Sequence, residues 1–352
     1  MTGLDRERLG PAAARLGGAL AVVLIGLAVV AGWVLWAWAG PGPTARRGAA
    51  THIVLRSGAG LAGIAAQLQG AGVIHSAAVF MAAAKLTGAA HHLQAGEYAF
   101  ASREPMSGVL AAVQNGEVVR HLITIPEGVT SETVAAILAH APYLSGAAPT
   151  PPEGSVLPET YEATWGEDRA AVLRRMMDAR DALLDSLWRH RRPDLPYASP
   201  EQAVILASMV EKETAVADER PRVAEVFLNR LAKGMKLQSD PTVIYGLTGG
   251  KPLGHGLRAS ELARATPYNT YANAGLPPTP IDNPGRASLA AALDPPKSDE
   301  LYFVADGTGG HVFAATLEAH QKNVAHWRAV EQARAQPAAA RPLAAMAVRK
   351  PG

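Results

Sequence analysis

The sequence predicts an α+β fold with one N-terminal transmembrane helix, a small α/β module, and a helix-rich domain that ends in a short antiparallel sheet. Three observations lead to this prediction. An uncharged apolar run lies near the start of the 352-residue chain. Helical and strand-like periodicities alternate between about residues 51 and 125, and helical periodicity dominates from residue 126 to about residue 330.

The apolar run covers residues 16–39 and contains no charged side chain. It is long enough to cross the hydrocarbon core of a bilayer, which takes about 20 helical residues. Trp33, Trp36 and Trp38 cluster at its far end, as in an interfacial aromatic belt. A cleaved signal peptide is the alternative, but its apolar region is only about 7–15 residues long. We therefore predict an uncleaved single-pass anchor.

The charges around the span give only a small preference for one orientation. Arg6, Arg8 and Arg15 precede the span, while Arg46 and Arg47 follow it. We place residues 1–15 in the cytoplasm because no second span returns the large remaining part of the chain. Residues 40–50, rich in Gly and Pro, are predicted to be a linker.

The small module is predicted to occupy residues 51–125. Its predicted elements are a strand at 52–55, helices at 61–68 and 78–86, a turn and strand at 93–100, a helix at 106–115 ended by Gly116, and a strand at 118–125.

The helix-rich domain is predicted to occupy residues 126–330. Its predicted elements are helices at 130–138, 168–190, 199–214, 218–233 and 240–245, and a hairpin of strands 301–304 and 311–313 around a Gly-rich turn. Asp218 and Asp240 are the expected N-caps of their helices. The tail, residues 331–352, is rich in Ala, Pro and Arg and is predicted to be disordered.

Composition and motifs exclude several classes of function. The net charge of +2 is too small to indicate nucleic-acid binding, and the absence of cysteine rules out disulfides, thiolate nucleophiles and cysteine zinc sites. The chain contains no His-Glu-x-x-His zinc motif, no P-loop and no Gly-x-Ser-x-Gly elbow. No metal ion and no organic cofactor is therefore implied.

The helix at 199–214 carries the chemically most informative carboxyl group. Ser199 and Pro200 are typical of a helix start. At about 100° per residue, Glu213 follows the apolar positions on one face: Ile205, Leu206, Met209 and Val210. A carboxyl group on a buried stripe is partly desolvated, which raises its pKa and suits a general acid near neutral pH.

The same spacing allows a purely structural role for Glu213. It would then pair with Arg220 or Arg222, and spacing alone makes this at least as good an interpretation. Glu211 points almost opposite, and we interpret it as a solvated residue or as an orienting partner.

Several polar residues beyond this helix are candidates for substrate contacts. Asn229, Gln238 and Tyr245 could hydrogen-bond sugar hydroxyl groups, and each is equally plausible as a structural polar group. Asp240 is most simply an N-cap and secondarily a second carboxylate. Arg230 either faces substrate carboxylates or closes its helix.

Six stretches carry a specific resemblance to a known family. They are Ala-Ser-Met-Val-Glu-Lys-Glu-Thr-Ala-Val-Ala-Asp-Glu-Arg at 207–220, the run from 226 to 246 containing Gln-Ser-Asp-Pro, Thr-Pro-Tyr-Asn-Thr-Tyr at 266–271, Gly-Leu-Pro-Pro at 275–278, Ile-Asp-Asn-Pro-Gly at 281–285, and Leu-Tyr-Phe-Val-Ala-Asp-Gly-Thr-Gly-Gly-His at 301–311. Together they resemble the endolytic murein transglycosylase family (MltG, or YceG-like). The resemblance runs from about residue 52 to 325, and the loop at 247–257 departs from it.

The resemblance implies roles for individual residues. Glu213, the second Glu of Glu-Lys-Glu-Thr, matches the catalytic glutamate. We assign supporting roles to Glu211, Thr214 and Glu219. The predicted substrate-binding residues are Asn229, Arg230, Gln238, Asp240, Tyr245, Asn269 and Tyr271. Residues 51–125, with Ala95-Gly96-Glu97-Tyr98, resemble a LysM-like module, and residues 126–330 resemble the catalytic YceG-like domain.

The implied activity is a lyase that cleaves the MurNAc–GlcNAc bond of peptidoglycan and leaves 1,6-anhydro-MurNAc ends. The expected partners are glycan strands and cell-wall synthases, with the enzyme anchored in the inner membrane and its catalytic domain outside the cytoplasm. Two alternatives stay open. One is a muramidase (hydrolase) using Asp240 or Glu219 as second carboxylate, and the other is a non-catalytic, membrane-anchored glycan-binding scaffold.

Overall fold

The computed structural model describes residues 11–335, with side chains described for 18–334. The predictions for residues 1–10 and 336–352 lie outside the described residues. The chain divides into two compact units. The N-terminal unit contains the residues up to His121 together with Glu162–Glu167, and the C-terminal unit contains Leu122–Tyr161 together with the residues from Asp168 onward.

The N-terminal unit begins with the predicted apolar helix, α1, which covers Pro11–Ala39 and so starts before residue 16. Within its segment Gly18–Ala39, a window of 18 residues has a mean hydropathy of 2.5 and is not buried inside the protein. An exposed apolar helix of this length is compatible with a single-pass membrane anchor.

The remainder of the N-terminal unit is a small mixed module. Its elements are β1 (Ala50–Leu55), α2 (Leu61–Gly70), α3 (Ala77–Leu86), β2 (Gly96–Ala101) and α4 (Met106–Asn115). β1 and β2 pair antiparallel, with Ala50 opposite Ala101 and Leu55 opposite Gly96. Phe80, Tyr98 and Met106 lie fully buried between sheet and helices.

The end of α4 was predicted correctly. The helix stops at Asn115 because Gly116 adopts a left-handed conformation with φ of 70°, which costs glycine little.

The C-terminal unit is mainly helical. Two strands, β3 (Arg120–Thr124) and β4 (Thr160–Thr164), each cross a point at which the chain passes from one unit to the other. The further elements of the C-terminal unit are α5 (Ser131–His140), α6 (Arg169–Arg189), α7 (Pro200–Glu213), α8 (Arg220–Ala232), α9 (Asp240–Thr248), α10 (Ala259–Leu262), α11 (Arg286–Leu293), β5 (Tyr302–Ala305), β6 (His311–Ala314) and α12 (Leu317–Ala335). β3 pairs with β4, and β5 pairs antiparallel with β6 as the predicted hairpin.

Helix α7 lies at the centre of this unit and packs against α6, α8, α9 and α11. All residues from Ala203 to Val210 are buried. The prediction of a one-sided apolar stripe was therefore too narrow, because neighbouring helices cover α7 on several sides.

Several helix boundaries were predicted correctly from capping chemistry. Thr130 accepts a hydrogen bond from the backbone N–H of Thr133 at the start of α5. Asp168 does the same for Ala170 at the start of α6. Both side chains satisfy an N–H group that the first turn of a helix leaves without a partner.

Other boundaries need correction. Asp218 is not an N-cap, because a short 3-10 turn, Ala217–Glu219, precedes α8. The residue before α9 is Ser239, and Asp240 is its first helical residue. Residues 331–335 continue α12 rather than being disordered. β4, α10, α11 and α12 were not predicted.

A buried polar network joins three loops of the C-terminal unit. The Asn283 side chain is fully buried, accepts from the backbone N–H of Val156 at 3.0 Å, and donates to the carbonyl of Val129 at 3.1 Å and to Ser131 Oγ at 3.2 Å. These bonds satisfy the amide on both sides, so Asn283 fixes the loop that begins α11.

The neighbouring residue, Asp282, is fully buried, and neither of its carboxylate oxygens has a hydrogen-bond partner among the described residues. Burial raises its pKa well above the usual value. The nearby Lys212 lowers the pKa, whereas Glu211 and Glu153 raise it further. The protonated form of Asp282 is therefore the one that the fold tolerates.

This burial predicts a pH-dependent loss of stability. Because the folded-state pKa lies above the unfolded value, the penalty is absent below the usual aspartate pKa and grows as pH rises towards the folded-state pKa. We expect Asp282→Asn to be more stable than the native chain near pH 8 by about 1 kcal/mol or more, and to gain little near about pH 4. Thermal unfolding of the full chain in detergent at both pH values measures this. The exposed Asp294→Asn is the control, and an equal gain at both pH values would contradict the prediction.

Candidate active site

Glu213 is the last residue of α7 and its side chain leaves the buried core of the C-terminal unit. Its Oε1 atom accepts a hydrogen bond from Ser239 Oγ at 2.5 Å. Since Ser239 directly precedes α9, this bond joins the end of one helix to the start of another.

The surroundings of Glu213 favour its protonated form. Burial is the main cause that raises the pKa of this carboxyl, to about 7. The hydrogen bond from Ser239 lowers the pKa, the charge of Asp240 raises it, and the charge of Arg230 lowers it. The position at the C-terminal end of a helix also disfavours a negative charge. At neutral pH the residue is therefore divided between its acid and base forms.

The position of Ser239 is fixed by a buried set of hydroxyl groups. Its backbone N–H donates to Thr270 Oγ1 at 2.9 Å, and its carbonyl accepts from Thr242 Oγ1 at 2.7 Å. The two threonine hydroxyl groups also contact each other at 2.9 Å. Ser239 therefore makes no side-chain cap to α9, which leaves its own hydroxyl free to donate to Glu213.

Ser239, Thr242 and Thr270 were not among the site residues predicted from the sequence. The sequence Ser-Asp-Pro at 239–241 contained a usable signal, because serine is a preferred N-cap and proline is favoured in the first turn. Assigning the cap to Asp240 concealed it.

Three of the predicted substrate-binding residues lie around Glu213. Asp240 and Arg230 are close enough to shift its pKa in opposite directions. Tyr271 donates its hydroxyl to Asp240 Oδ1 at 2.6 Å. Burial, followed by the contact with Asp240, raises the pKa of Tyr271, so its phenol stays protonated and remains a donor.

The Arg230 side chain is almost entirely buried and is held by backbone carbonyls. Its Nε donates to Leu301 and one terminal nitrogen donates to Leu237, both at 2.7 Å. The guanidinium therefore supplies charge near Glu213 and supports the surrounding loops, and we revise its role as a substrate contact to this structural one.

Gln238 occupies a left-handed backbone conformation with φ of 54°. This conformation costs a residue other than glycine about 1–3 kcal/mol and is frequently found at functional sites. Its side-chain oxygen lies 3.4 Å from the Arg230 guanidinium, and its side chain is exposed beside Ser239. Gln238 is thus held at the surface next to the residue that contacts Glu213.

Two of the supporting residues stabilise the turn that follows Glu213. Thr214 Oγ1 donates to Glu219 Oε2 at 3.1 Å, and His311 contacts the same carboxylate through its backbone N–H and its ring Nδ1, both at 2.7 Å. Partial burial would raise the pKa of Glu219, but the hydrogen bonds from His311 and Thr214 outweigh it and lower the pKa. Glu219 therefore connects the end of α7 to β6 as an ionised carboxylate.

The third supporting residue, Glu211, is not solvated as the sequence suggested. Its side chain is only 6% exposed, lies 3.6 Å from Arg220, and accepts from the backbone N–H of Gly285 at 2.9 Å. It secures the start of α11. Because Arg220 pairs with Glu211 and Arg222 pairs with Glu300, neither forms the ion pair with Glu213 that spacing allowed.

Three predicted substrate-binding residues have structural roles instead. Asn229 donates both amide hydrogens to the carbonyls of Ser298 and Glu300. Asn269 is fully buried and uses its amide on backbone groups of its own loop. Tyr245 donates to Glu153 Oε2 at 3.0 Å. We therefore revise these three assignments to structural roles, because the polar atoms of these side chains are already hydrogen-bonded to other groups of the protein.

The arrangement can transfer a proton and orient polar groups around it. Glu213 is a carboxyl group with a near-neutral pKa, while Ser239, Asp240 and Tyr271 form a short chain of donors and acceptors beside it. Within residues 11–335, no group of three His, Asp or Glu side chains is placed to hold a metal ion.

About half of this chain is similar to curated proteins that share one name. An endolytic murein transglycosylase of Bacillus subtilis (strain 168) is 38% identical over 176 residues, which cover 49% of this chain and 47% of that protein. An endolytic murein transglycosylase of Streptococcus pneumoniae serotype 2 (strain D39 / NCTC 7466) is 36% identical over 179 residues, which cover 49% of this chain and 32% of that protein. The chain thus spans half or less of the length of these curated relatives.

A solved structure and a family model match more of the chain. The 2.6 Å crystal structure of a protein described as yceG-like, from Listeria monocytogenes, is 30% identical with a TM-score of 0.49, covering 78% of this chain and 98% of that one. The model of the YceG-like family matches residues 53–326. Since this match includes most of the chain and every residue around Glu213, the chain belongs to the YceG-like family.

Proposed function

We propose that this protein is an endolytic lytic transglycosylase, a lyase that cleaves the MurNAc–GlcNAc bond of peptidoglycan strands and leaves 1,6-anhydro-MurNAc ends. The half-buried carboxyl of Glu213, with a pKa of about 7, is the observation that carries the proposal. The name of the curated relatives, endolytic murein transglycosylase, supports the same reaction and substrate.

In the proposed mechanism Glu213 performs both proton transfers. As an acid it protonates the leaving glycosidic oxygen, and the bond breaks through an oxocarbenium-like state. As a base the resulting carboxylate takes the proton of the sugar 6-hydroxyl, which closes the 1,6-anhydro ring. A pKa near 7 suits both steps, because neither form of the residue is too rare at neutral pH.

The polar groups beside Glu213 have complementary roles in this proposal. Ser239 stabilises the carboxylate that forms after the first proton transfer, because it donates to Oε1. Gln238, Asp240 and Tyr271 hold sugar hydroxyl groups, and the exposed Asp240 and Gln238 are the accessible members of this set. Arg230 limits the accumulation of negative charge.

Hydrolysis through a second carboxylate receives less support. Glu219 is engaged by His311 and Thr214, so its oxygens are not available to activate water. Asp240 is the other candidate, but it accepts a short hydrogen bond from Tyr271. Intramolecular capture by the 6-hydroxyl requires no second carboxylate, which fits a site centred on one buried acid.

Helix α1 supports a proposed location in the inner membrane. We place the N-terminus in the cytoplasm and the catalytic domain outside it, where glycan strands and cell-wall synthases would be its partners. The apolar, unburied segment Gly18–Ala39 supports the single membrane span.

A glycan-binding role of the N-terminal unit is the second candidate function. We propose that its strand–helix–helix–strand core is the LysM-like module. A groove of about 610 Å³ near the Leu55 end of β1 contains Trp165, which is 41% exposed. An exposed tryptophan offers a flat apolar face of the kind that sugar rings stack on. The groove supports a glycan-binding role for this unit that does not depend on whether the C-terminal unit cleaves the glycan.

The first prediction of the proposed function separates cleavage of peptidoglycan from binding to it. Glu213→Gln removes the proton donor while keeping the side chain's size, and we expect strand scission to fall by about 10²–10⁴-fold with glycan binding retained. Turnover of purified peptidoglycan and co-sedimentation with it measure the two properties. Glu201→Gln, an exposed position at the other end of α7, is the matched control. Normal cleavage by Glu213→Gln would refute the site, and binding without cleavage by the native chain would favour the scaffold.

The second prediction concerns the products. Mass analysis of glycan ends released by the native chain should show 1,6-anhydro-MurNAc, because the sugar's own 6-hydroxyl captures the reactive centre. Asp240→Asn should reduce the rate without changing the type of end. Reducing MurNAc ends that disappear in Asp240→Asn would instead establish the hydrolase.

The third prediction concerns pH. The acid step needs protonated Glu213, so kcat should fall as pH rises through about 7. The hydrogen bond from Ser239 lowers this pKa, and its loss in Ser239→Ala should move the falling limb of the profile upward by about one pH unit. Thr248→Ala, which removes a hydroxyl at the far end of α9, should leave the limb in place. An unshifted limb in Ser239→Ala would show that this bond does not tune Glu213.

A further inference from the structure

Helix α3 of the N-terminal unit presents an apolar surface to its surroundings. Its sequence, Ala-Ala-Val-Phe-Met-Ala-Ala-Ala-Lys-Leu, contains one polar side chain, Lys85. Val79, Phe80 and Ala84 face the core, whereas Ala78, Ala82 and Leu86 lie exposed on another face. Leu86 is 89% exposed, which is unusual for a large apolar side chain in a folded unit.

This exposed face continues into the surface of α1. A groove of about 520 Å³ lies between the two helices, and its lining is almost entirely apolar. The α1 side contributes Trp33, Val34, Leu35 and Trp38, and the α3 side contributes residues between Ala78 and Thr87.

The position of α3 beside the end of α1 is fixed by specific contacts. α1 packs against both α3 and α4. Ala37 is buried, Trp36 stacks on His75 with ring centroids 4.7 Å apart, and the His75 ring contacts the carbonyl of Pro41 at 3.2 Å. Because His75 lies just before α3, these contacts hold that helix against the last two turns of α1.

The depth of the groove follows from the geometry of α1. From Trp33 to Trp38 an α-helix rises about 8 Å. If α1 spans the bilayer and ends at Ala39, these residues lie in the outermost layer of the membrane, where tryptophan is enriched. Side chains of α3 that face them across a groove must lie at the same depth.

We propose that α3 is an interfacial membrane helix and that the groove between α1 and α3 binds an acyl chain of a membrane lipid. This proposal rests on the membrane span of the proposed function, and it adds a second, non-spanning contact with the bilayer. The groove is continuous with the lipid-facing surface of α1, and this continuity identifies lipid rather than another protein as its occupant. Amphipathic helices at this boundary bury their apolar face about 5–10 Å deep.

The single charge of α3 fits the same orientation. Lys85 is exposed next to Leu86 in the last turn of the helix. At a membrane surface its aliphatic stem lies along the apolar layer while the ammonium group reaches the phosphate groups of the lipids. α3 thereby fixes the height of the N-terminal unit above the bilayer.

The chain contains no cysteine, so single-cysteine labelling needs no background substitutions. We would place a nitroxide spin label at Leu86→Cys, Ala82→Cys, Val30→Cys and Ser57→Cys in the full-length protein, reconstituted in phosphatidylethanolamine–phosphatidylglycerol vesicles. Collisions with oxygen, which concentrates in lipid, are compared with collisions with a neutral nickel chelate, which stays in water. Val30 reports on the span, and the exposed Ser57 lies beyond the Leu55 end of β1.

We expect labels at Leu86→Cys and Ala82→Cys to collide more with oxygen than with nickel, as at Val30→Cys, and the label at Ser57→Cys to show the reverse. Nickel-dominated collisions at Leu86→Cys with oxygen-dominated collisions at Val30→Cys would overturn the proposal and leave the anchor intact. Nickel-dominated collisions at Val30→Cys would overturn both the anchor and this proposal, without bearing on cleavage. Low accessibility to both reagents with dipolar broadening would show a second copy on α3, which also overturns it.

Discussion

The placement of one carboxyl group at the end of a fully covered helix is the constraint on which the site depends. α7 is surrounded by other helices along most of its length, so the chain cannot move Glu213 without disturbing the core of the C-terminal unit. Ser239 approaches it from the start of α9, and Thr242 and Thr270 hold Ser239 through its own backbone. The carboxyl group of Glu213, which we propose transfers the protons, is thus positioned by buried hydrogen bonds rather than by exposed ones, which would compete with water.

Opposing influences on the pKa of Glu213 fit our proposal that this single residue acts first as an acid and then as a base. Burial alone would hold it neutral, which suits an acid but not a base. The hydrogen bond from Ser239 and the charge of Arg230 stabilise the ionised form and lower the pKa of Glu213, whereas the charge of Asp240 raises it. A site with two independent carboxylates separates these roles between residues, whereas here the balance is made within one side chain.

Helices α5, α6 and α7 and the β5–β6 hairpin could be predicted from the sequence, because local signals determine them. Predictions from the sequence were wrong where contacts between residues far apart in the chain determine the surroundings of a side chain. Glu211 looks solvent-facing on a helical wheel, but α11 covers it. Asn229 carries the polar group expected of a sugar contact, yet the carbonyls of Ser298 and Glu300, far along the chain, accept its amide hydrogens. Ser239 was overlooked because its partner, Glu213, is 26 residues away.

The N-terminal unit has an apolar groove at one end and a groove that contains Trp165 at the other. The positions of these grooves limit how the unit can face a membrane and a glycan strand. β1 starts beside the linker from α1, where Gly42 and Arg103 are hydrogen-bonded, and it runs away from that point towards Leu55. The apolar groove of α1 and α3 lies at the first end, and the groove with Trp165 lies at the second. A six-residue strand extends roughly 20 Å. A unit held at the membrane by α1 and α3, as we propose, would therefore present its tryptophan groove at most about that far from the apolar groove, on the side where a glycan strand could reach it.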